Sequence, residues 1–366
     1  MLRSLQTRGY RSLREFRMKF GNITIVTGAN GVGKSNVYRS LALVQRMAEG
    51  NFAASLAAEG GMPSALWAGE RRRDEPKRIS WDIEHDDFEF AIECGLIPLG
   101  PGSASMFRTD PEIKSESLRF AGKPMARRKG PVIEARGPDG VMEASSLPFH
   151  DPESMLCELR DGTRHPAVVA ARETILGWRF YHHFRTDADS PIRRPQLGSW
   201  SPVLAHDGSN LAATLQTIVE SGGGGVLHAA IESAFDEIRW SPADDTDAFH
   251  LQVTPPGLTR PMAAAELSDG TLRFFCLAAA LLTPKPPALL VLNEPEASLH
   301  SGLIQPLADL IGHASKTTQL LVVTHSHDLA AAIRTIGEAV SVELVSHEGE
   351  TRPKGLEGAR RAWSFD

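Results

Sequence analysis

No stretch of this sequence approaches eighteen uninterrupted apolar residues, the length a helix needs to cross a bilayer, so membrane insertion is not expected. Cysteine is scarce. Cys94, Cys157 and Cys276 lie far apart with no CxxC pair, which excludes a disulfide framework and suits a reducing cytoplasm. An excess of basic charge is missing too: 39 Lys and Arg stand against 45 Asp and Glu, a formal net charge of −6. That excludes a uniformly basic nucleic-acid binder and leaves only local patches for such contacts. No heptad persists over three or more turns and no internal repeat emerges, so no long coiled coil is expected. The 366 residues are 42% hydrophobic and 23% charged, enough for a sizeable core and for one large domain or two ordinary ones.

What is present starts near the N-terminus. Met1–Phe20 carries Arg3, Arg8, Arg11, Arg14, Arg17 and Lys19 against Glu15 alone, a charge balance that transit peptides share. The segment runs directly into Asn22–Thr27, which reads as a buried strand, and it is read as part of the fold. Next comes Gly28-Ala29-Asn30-Gly31-Val32-Gly33-Lys34-Ser35, a fit to GxxxxGK[ST]. The glycines let consecutive backbone N–H groups turn inward onto phosphate oxygens. Lys34 has the reach for the β- and γ-phosphates, and the Ser35 hydroxyl suits Mg²⁺. A helical pattern follows (Val37, Leu41, Leu43, Val44), whose positive end faces the same phosphates. This is a nucleotide-binding loop.

The far end of the chain carries the second half of the signal. Leu289–Leu292 is a continuous apolar run, as in a central parallel strand, and it delivers Asn293-Glu294-Pro295-Glu296 to the strand's C-terminal end. A second apolar strand, Gln319–Thr324, ends in His325-Ser326-His327. Upstream, Leu267-Ser268-Asp269-Gly270-Thr271 precedes the helical stretch Phe274–Leu282. The His325/His327/Asp328 group has no further Cys/His cluster to complete a metal site.

In order and spacing these motifs resemble the ATPase head of the ABC superfamily, in its RecF/SMC/OLD-like branch. Gly28–Ser35 is similar to the Walker A loop, Leu267–Thr271 to the LSGGQ signature with Asp269 in place of its first glycine, and Leu289–Glu294 to Walker B with its catalytic glutamate. Ala297–His300 occupies the D-loop position and His325 that of the switch histidine. Gly9-Tyr10-Arg11-Ser12 is similar to the opening motif of the branch. The resemblance covers roughly residues 1–50 and 260–345. It implies an α/β P-loop NTPase of ABC type, with a central mostly parallel sheet, an antiparallel β subdomain and a helical signature lobe. It further implies ATP and Mg²⁺ as ligands, bound by Arg11 and Gly28–Asn36, with Ser35 and, through water, Asn293 at the metal. Glu294 and His325 become the catalytic pair, and Ser268, Asp269 and Gly270 act in trans across an ATP-dependent homodimer.

Two departures stand out. Walker B ordinarily ends in an aspartate, and here the residue is Asn293, which accepts a hydrogen bond from a metal-bound water but adds no charge. Slow hydrolysis is the expected consequence. No glutamine occurs between Gln45 and Gln196, so the Q-loop role falls to Gln196 or to a stand-in such as His183 or Arg185.

The expected division is 1–99 for the N-terminal part of the ATPase lobe, 100–165 for a β-rich basic insertion, 166–265 for a return strand and helical lobe, and 266–366 for the remaining motifs. Ile79–Ile83 and Phe88–Cys94 alternate as strands, Val132–Arg136 and Val141–Ala144 pair across Gly137–Gly140, and two helices flank Gly222–Gly225. Between Leu118 and Arg136, Arg119, Lys123, Arg127, Arg128, Lys129 and Arg136 face Glu134 alone. This basic run, like Arg71–Arg73, suits DNA phosphates and equally suits a solvated hairpin. After His325 there is no aspartate-rich strand pattern, so a Toprim nuclease half is not expected. The reading is a cytoplasmic ATPase that dimerises on ATP and acts on DNA or a separately encoded effector, in DNA maintenance or phage defence. A non-hydrolysing ATP-gated scaffold and an energy subunit for a separate membrane partner remain open.

Overall fold

The computed structural model describes residues 1–71, 75–98, 106–147, 151–245 and 248–355, and the chain divides into two compact units. The first comprises Met1–Gly21, Val26–Trp178 and Ser341–Asp366; the second comprises Asn22–Ile25 and Arg179–Val340. Arg72 and Arg73 of the Arg71–Arg73 run lie outside the described residues.

In the first unit, β1 (Leu2–Tyr10) and β2 (Leu13–Lys19) form a hairpin whose turn holds Arg11 at φ 48°. β3 (Ile23–Gly28) begins in the second unit and ends in the first, where it leads into α1 (Lys34–Glu49). Val37, Leu41 and Val44 recur at helical spacing on α1 and are all fully buried. The short helices α2 (Phe52–Ala58) and α3 (Gly61–Ala65) follow. Six strands come next: β4 (Arg78–His85), β5 (Phe88–Leu96), β6 (Pro111–Phe120), β7 (Lys123–Lys129), β8 (Val132–Arg136) and β9 (Met142–Ser146). With the first hairpin they build one eight-stranded antiparallel sheet in the order β2-β1-β4-β5-β6-β7-β8-β9. Burial alternates along these strands, so one face carries the core. Trp81 lies on that face, and its indole N–H donates to Ser40 Oγ of α1 at 2.9 Å.

Within the expected β-rich insertion, β6 pairs along β5 from Phe88↔Phe120 to Leu96↔Pro111 and so continues the sheet that β1 begins. The hairpin of β8 and β9 does close across Gly137–Gly140, as expected. Arg128 departs from the expected basic face. In the alternation of β7 it points inward and is 3% exposed, with Nη1 3.5 Å from Glu116 and Nη2 donating to the Asp151 carbonyl at 2.8 Å. A DNA contact through Arg128 is therefore excluded by its burial. The helices α4 (Met155–Glu158) and α5 (Pro166–Leu176) complete this part of the unit.

The second unit opens with β10 (Arg179–Tyr181) and a short β11 (Gln196–Leu197). α6 (Leu211–Ile218) and α7 (Gly224–Ala234) are separated by a π-helical segment, Val219–Gly223, in which Gly222 takes φ 90°. β12 (Arg239–Asp245), β13 (Ala248–Thr254) and β14 (Met262–Ala263) form a small antiparallel sheet with β11. Then come α8 (Asp269–Leu281), β15 (Leu289–Asn293), α9 (Ile304–Ala314), β16 (Gln319–Val323) and α10 (His327–Ile336). β10, β15 and β16 are parallel neighbours, and the start of β3 follows β16 through the Leu320 N–H to Asn22 carbonyl bond at 2.8 Å. Every residue of β15 and β16 is buried, which is why Leu289–Leu292 and Leu320–Val323 read as unbroken apolar runs. Finally β17 (Ala339–His347) carries the chain back to the first unit, where it forms a hairpin with β18 (Glu350–Pro353).

Candidate functional site

In the first unit, β3 hands the chain to the Gly28–Ser35 loop. Gly28, Gly31 and Gly33 take φ values of 152°, 78° and 101°, the region where only glycine is unstrained. Two of them are also sterically obligatory. A Cβ on Gly28 would come 2.7 Å from the Leu344 carbonyl oxygen, and one on Gly33 would come 2.0 Å from Thr351 Oγ1. Gly33 is the N-cap of α1, with no side-chain cap and no acidic residue in the first turn. The opening N–H groups of α1 therefore keep their positive potential for an anion. Lys34 is buried and curls back over the loop, its Nζ donating to the Gly28 carbonyl at 2.7 Å and to the Ala29 carbonyl at 3.0 Å. Ser35 is exposed.

A ladder of hydroxyls braces this loop. Thr351 Oγ1 donates to the Val32 carbonyl at 2.7 Å and shares a 2.6 Å hydrogen bond with Ser12 Oγ, which also accepts from Asn36 Nδ2 at 2.8 Å. Nothing in the local pattern points to Thr351, because a hairpin over three hundred residues downstream supplies it. Arg11 is engaged elsewhere: its guanidinium donates to Glu59 at 2.8 and 3.0 Å, and Tyr10 OH donates to the same carboxylate.

In the second unit, the ends of β15 and β16 bring together the acidic and histidine motifs. Glu294 sits at φ 50°, its N–H donating to the Val323 carbonyl at 2.7 Å. His325 Nδ1 lies 3.9 Å from Glu294 Oε1 and 3.5 Å from Glu296 Oε1. Glu296 organises the loop after β16. Its Oε1 accepts from the Thr324 hydroxyl and from the N–H groups of His325 and Ser326 at 3.3 Å, while its Oε2 is buried without a hydrogen-bond partner. Asn293 is buried, and its amide nitrogen meets His182 Nδ1 at 2.5 Å. Its Oδ1 is likewise buried and unpartnered.

The signature segment joins this cluster from α8. Ser268 caps that helix by accepting from the Thr271 N–H at 3.2 Å, and a Cβ on Gly270 would meet the Ser298 carbonyl oxygen at 2.9 Å. Arg273, 3% exposed, donates from Nη2 to the Glu294 carbonyl at 2.9 Å and from Nη1 to His183 Nδ1 at 3.0 Å. Burial pulls its pKa below the ordinary guanidinium value, and the Glu296 carboxylate opposes that shift. Gln196 donates to the Pro191 carbonyl at 3.1 Å, and Arg185 pairs with Asp187. The side chain beside Asn293 is thus His182, the one residue of the Tyr181–Arg185 stretch with that contact, and reasoning from sequence passed over it along with Arg273 and Glu296. The available signal was a histidine pair at the end of a short strand, where ligand-binding residues of α/β proteins collect.

Among the described residues no group of three or more His, Cys, Asp or Glu forms a metal cluster. The donors present fit the other way of holding Mg²⁺, in which water and substrate phosphates supply most ligands. The unpartnered Asn293 Oδ1 is an acceptor of the kind a metal-bound water needs. No helix among the described residues is long and apolar enough to cross a membrane.

Glycine-lined loop, parallel strands with an acidic end, and capped signature helix define a P-loop ATPase head of the ABC superfamily, in its RecF/SMC-like branch. The chain belongs to the family described as "AAA domain, putative AbiEii toxin, Type IV TA system", which matches residues 23–97 and 177–331. It is similar to the glutathione/L-cysteine transport system ATP-binding/permease protein CydD of Escherichia coli (strain K12), at 26% identity over 251 residues, 67% of this chain and 39% of that protein. The chain thus spans about two fifths of that relative's length. Among solved structures it is similar in fold to an Smc head bound to the C-winged helix domain of ScpA (TM-score 0.53, 16% identity, 96% of this chain and 97% of that one). It also resembles an Smc head with an extended coiled coil bound to the C-terminal domain of ScpA from Pyrococcus furiosus (TM-score 0.51, 13% identity, 96% and 95% covered).

Proposed function

We propose that this ATP-binding ATPase works as an ATP-operated clamp. It closes as a homodimer with twofold symmetry when ATP is bound, the signature of one copy completing the site of the other, and it passes that state to DNA or to a separately encoded effector. The observation that carries the reading is the cluster at the ends of β15 and β16, where Glu294 and His325 stand on one carboxylate-rich edge with Glu296 anchoring the loop between them. In this reading Glu294 polarises the attacking water, and His325 steadies the γ-phosphate in the transition state. Ser268 and the Gly270 N–H donate to the γ-phosphate of the partner's ATP, so one Walker A and one signature per chain require two copies for two sites. Ser35 would ligate Mg²⁺, which neutralises phosphate charge when bound, and Asn293 offers an acceptor for a metal-bound water.

The family description names a toxin of a type IV system, which favours a separately encoded partner and a defence role over DNA maintenance. A cytoplasmic location follows from that role. Asn293 favours a second reading, a scaffold that binds ATP and scarcely hydrolyses it, because the amide opposite His182 contributes no negative charge.

Light scattering of wild type and Glu294→Gln with ATP, with ADP and without nucleotide tests the clamp. Lys34→Ala serves as the non-binding control, since it removes the loop's only side-chain cation. The expected outcome is a dimer of Glu294→Gln in ATP alone, with steady-state hydrolysis cut to a small residual rate. A monomer in saturating ATP and Mg²⁺, or an equal dimer without nucleotide, overturns the clamp. Trapped dimer from unmutated protein selects the scaffold.

A further inference from the structure

The contact between α8 and the acidic loop carries a role that the motifs alone do not assign. Glu294 is not a glycine, yet it occupies the left-handed region at φ 50°. Such a conformation is costly and persists only where its surroundings over-determine it. Three hydrogen bonds do so here. The Glu294 N–H donates to Val323 O at 2.7 Å, and the Glu294 carbonyl accepts from the Ala297 N–H at 3.1 Å and from Arg273 Nη2 at 2.9 Å. The first two are local main-chain bonds of the β15 and β16 ends. The third comes from the signature helix.

Arg273 is an expensive choice for a buried position, since a charged side chain is almost never fully buried without partners. It faces the Glu294 and Glu296 carboxylates, and its other nitrogen bonds to His183 Nδ1, which must be the acceptor because a guanidinium only donates. One turn earlier on the same helix, Gly270 abuts the Ser298 carbonyl so closely that no side chain fits. The first two turns of α8 therefore touch the segment Glu294–Ser298 at both its ends.

We propose that Arg273 is a positioning residue, which holds the Glu294 main chain in its left-handed turn and thereby makes the hydrolytic geometry depend on where the signature helix sits. The inference rests on the reading of Glu294 as the residue that activates water. A nucleotide phosphate engaging Ser268 and Gly270 would then act on Glu294 through a single rigid helix.

The test compares Arg273→Lys and Arg273→Met in the full chain, each in the wild-type and in the Glu294→Gln background, by ATPase kinetics and by calorimetric ATP binding. Lysine keeps the charge, so it guards against loss of folding in the methionine variant. Both substitutions should lower kcat about tenfold, as expected for freeing a strained residue of this kind, with ATP affinity within about twofold of wild type. In the Glu294→Gln background they should leave the residual rate unchanged, because the group they position is already gone. A loss of equal size in both backgrounds, or a fall in ATP affinity that parallels the fall in rate, reduces Arg273 to a structural residue and overturns the proposal. Wild-type protein without hydrolysis overturns the functional reading and this inference together; an active wild type indifferent to Arg273 overturns this inference alone.

Discussion

Asp269, the first residue of α8, accepts a hydrogen bond from Arg193 Nη2 at 2.6 Å. The other terminal nitrogen of Arg193 donates to the carbonyls of Ala264, Ala265 and Leu267 at 3.1, 3.1 and 2.9 Å. The aspartate thus belongs to a strap that fixes the chain entering α8.

The two partners should differ in weight. Asp269 is 58% exposed and Arg193 11%, so the ion pair itself is screened and adds little, whereas the three carbonyls lose their donor only when Arg193 is removed. Asp269→Ala should change unfolding free energy by less than about 0.5 kcal/mol, and Arg193→Ala should lower it by about 1–3 kcal/mol. ATP-dependent dimerisation of Arg193→Ala should weaken while ATP affinity is kept. Urea unfolding and light scattering read these effects, and equal losses from both substitutions would show that the salt bridge, not the strap, matters.

Burial separates the basic residues of β7. Arg127 and Lys129 are exposed, with Arg127 in an ion pair with Glu134. If this face contacts DNA, neutralising both should flatten the slope of log affinity against log salt by about two units. Arg128→Ala should leave that slope alone and instead destabilise the fold by about 1–3 kcal/mol, since it removes the buried donor to the Asp151 carbonyl and the cation beside Glu116. Absence of any salt-dependent DNA binding by wild type would return the patch to a solvated strand.

Glu116 also sets a pH dependence. Burial pushes its pKa from an ordinary 4.5 up to about 7, against the opposing pull of the Ser154 hydroxyl, the Met155 N–H and Arg128. The folded state then holds a proton that the unfolded chain has released. Its contribution is fully present below about pH 4.5 and is lost as the pH rises through 7. Stability should fall over that window by on the order of 3 kcal/mol, and Glu116→Gln should flatten the fall. Parallel pH profiles for the two proteins would mean that Arg128 keeps the carboxylate ionised.

Much of the fold was legible because local patterns coincide with what the tertiary structure needs. Leu289–Leu292 and Leu320–Val323 are apolar without interruption, and only a strand covered on both faces tolerates that. Gly28, Gly31 and Gly33 announce a loop with left-handed turns before a helix. Glu294 and His325 were legible as strand-end residues for the same reason. The pairing of β6 along β5 was not, because nothing in a run of alternating strands says which edge they will pair with.

The amino-acid sequence by itself determined that this chain carries a glycine-rich GxxxxGK[ST] loop before a helix, an acidic strand end and a helix capped by Ser268, since each is a short-range pattern of residue type and spacing. Only the tertiary structure decided which side chains serve them. Thr351 reaches the loop from a C-terminal hairpin, Arg273 reaches the Glu294 carbonyl from α8, and His182 reaches Asn293 from just beyond the end of β10. Arg128, one basic residue among several in the sequence, turns inward because the pleat of β7 sends alternate side chains to the core. Hydrogen bonds between residues far apart in the chain, and the choice of which face of a strand is buried, exist only once sheets and helices are assembled, and no local pattern encodes them.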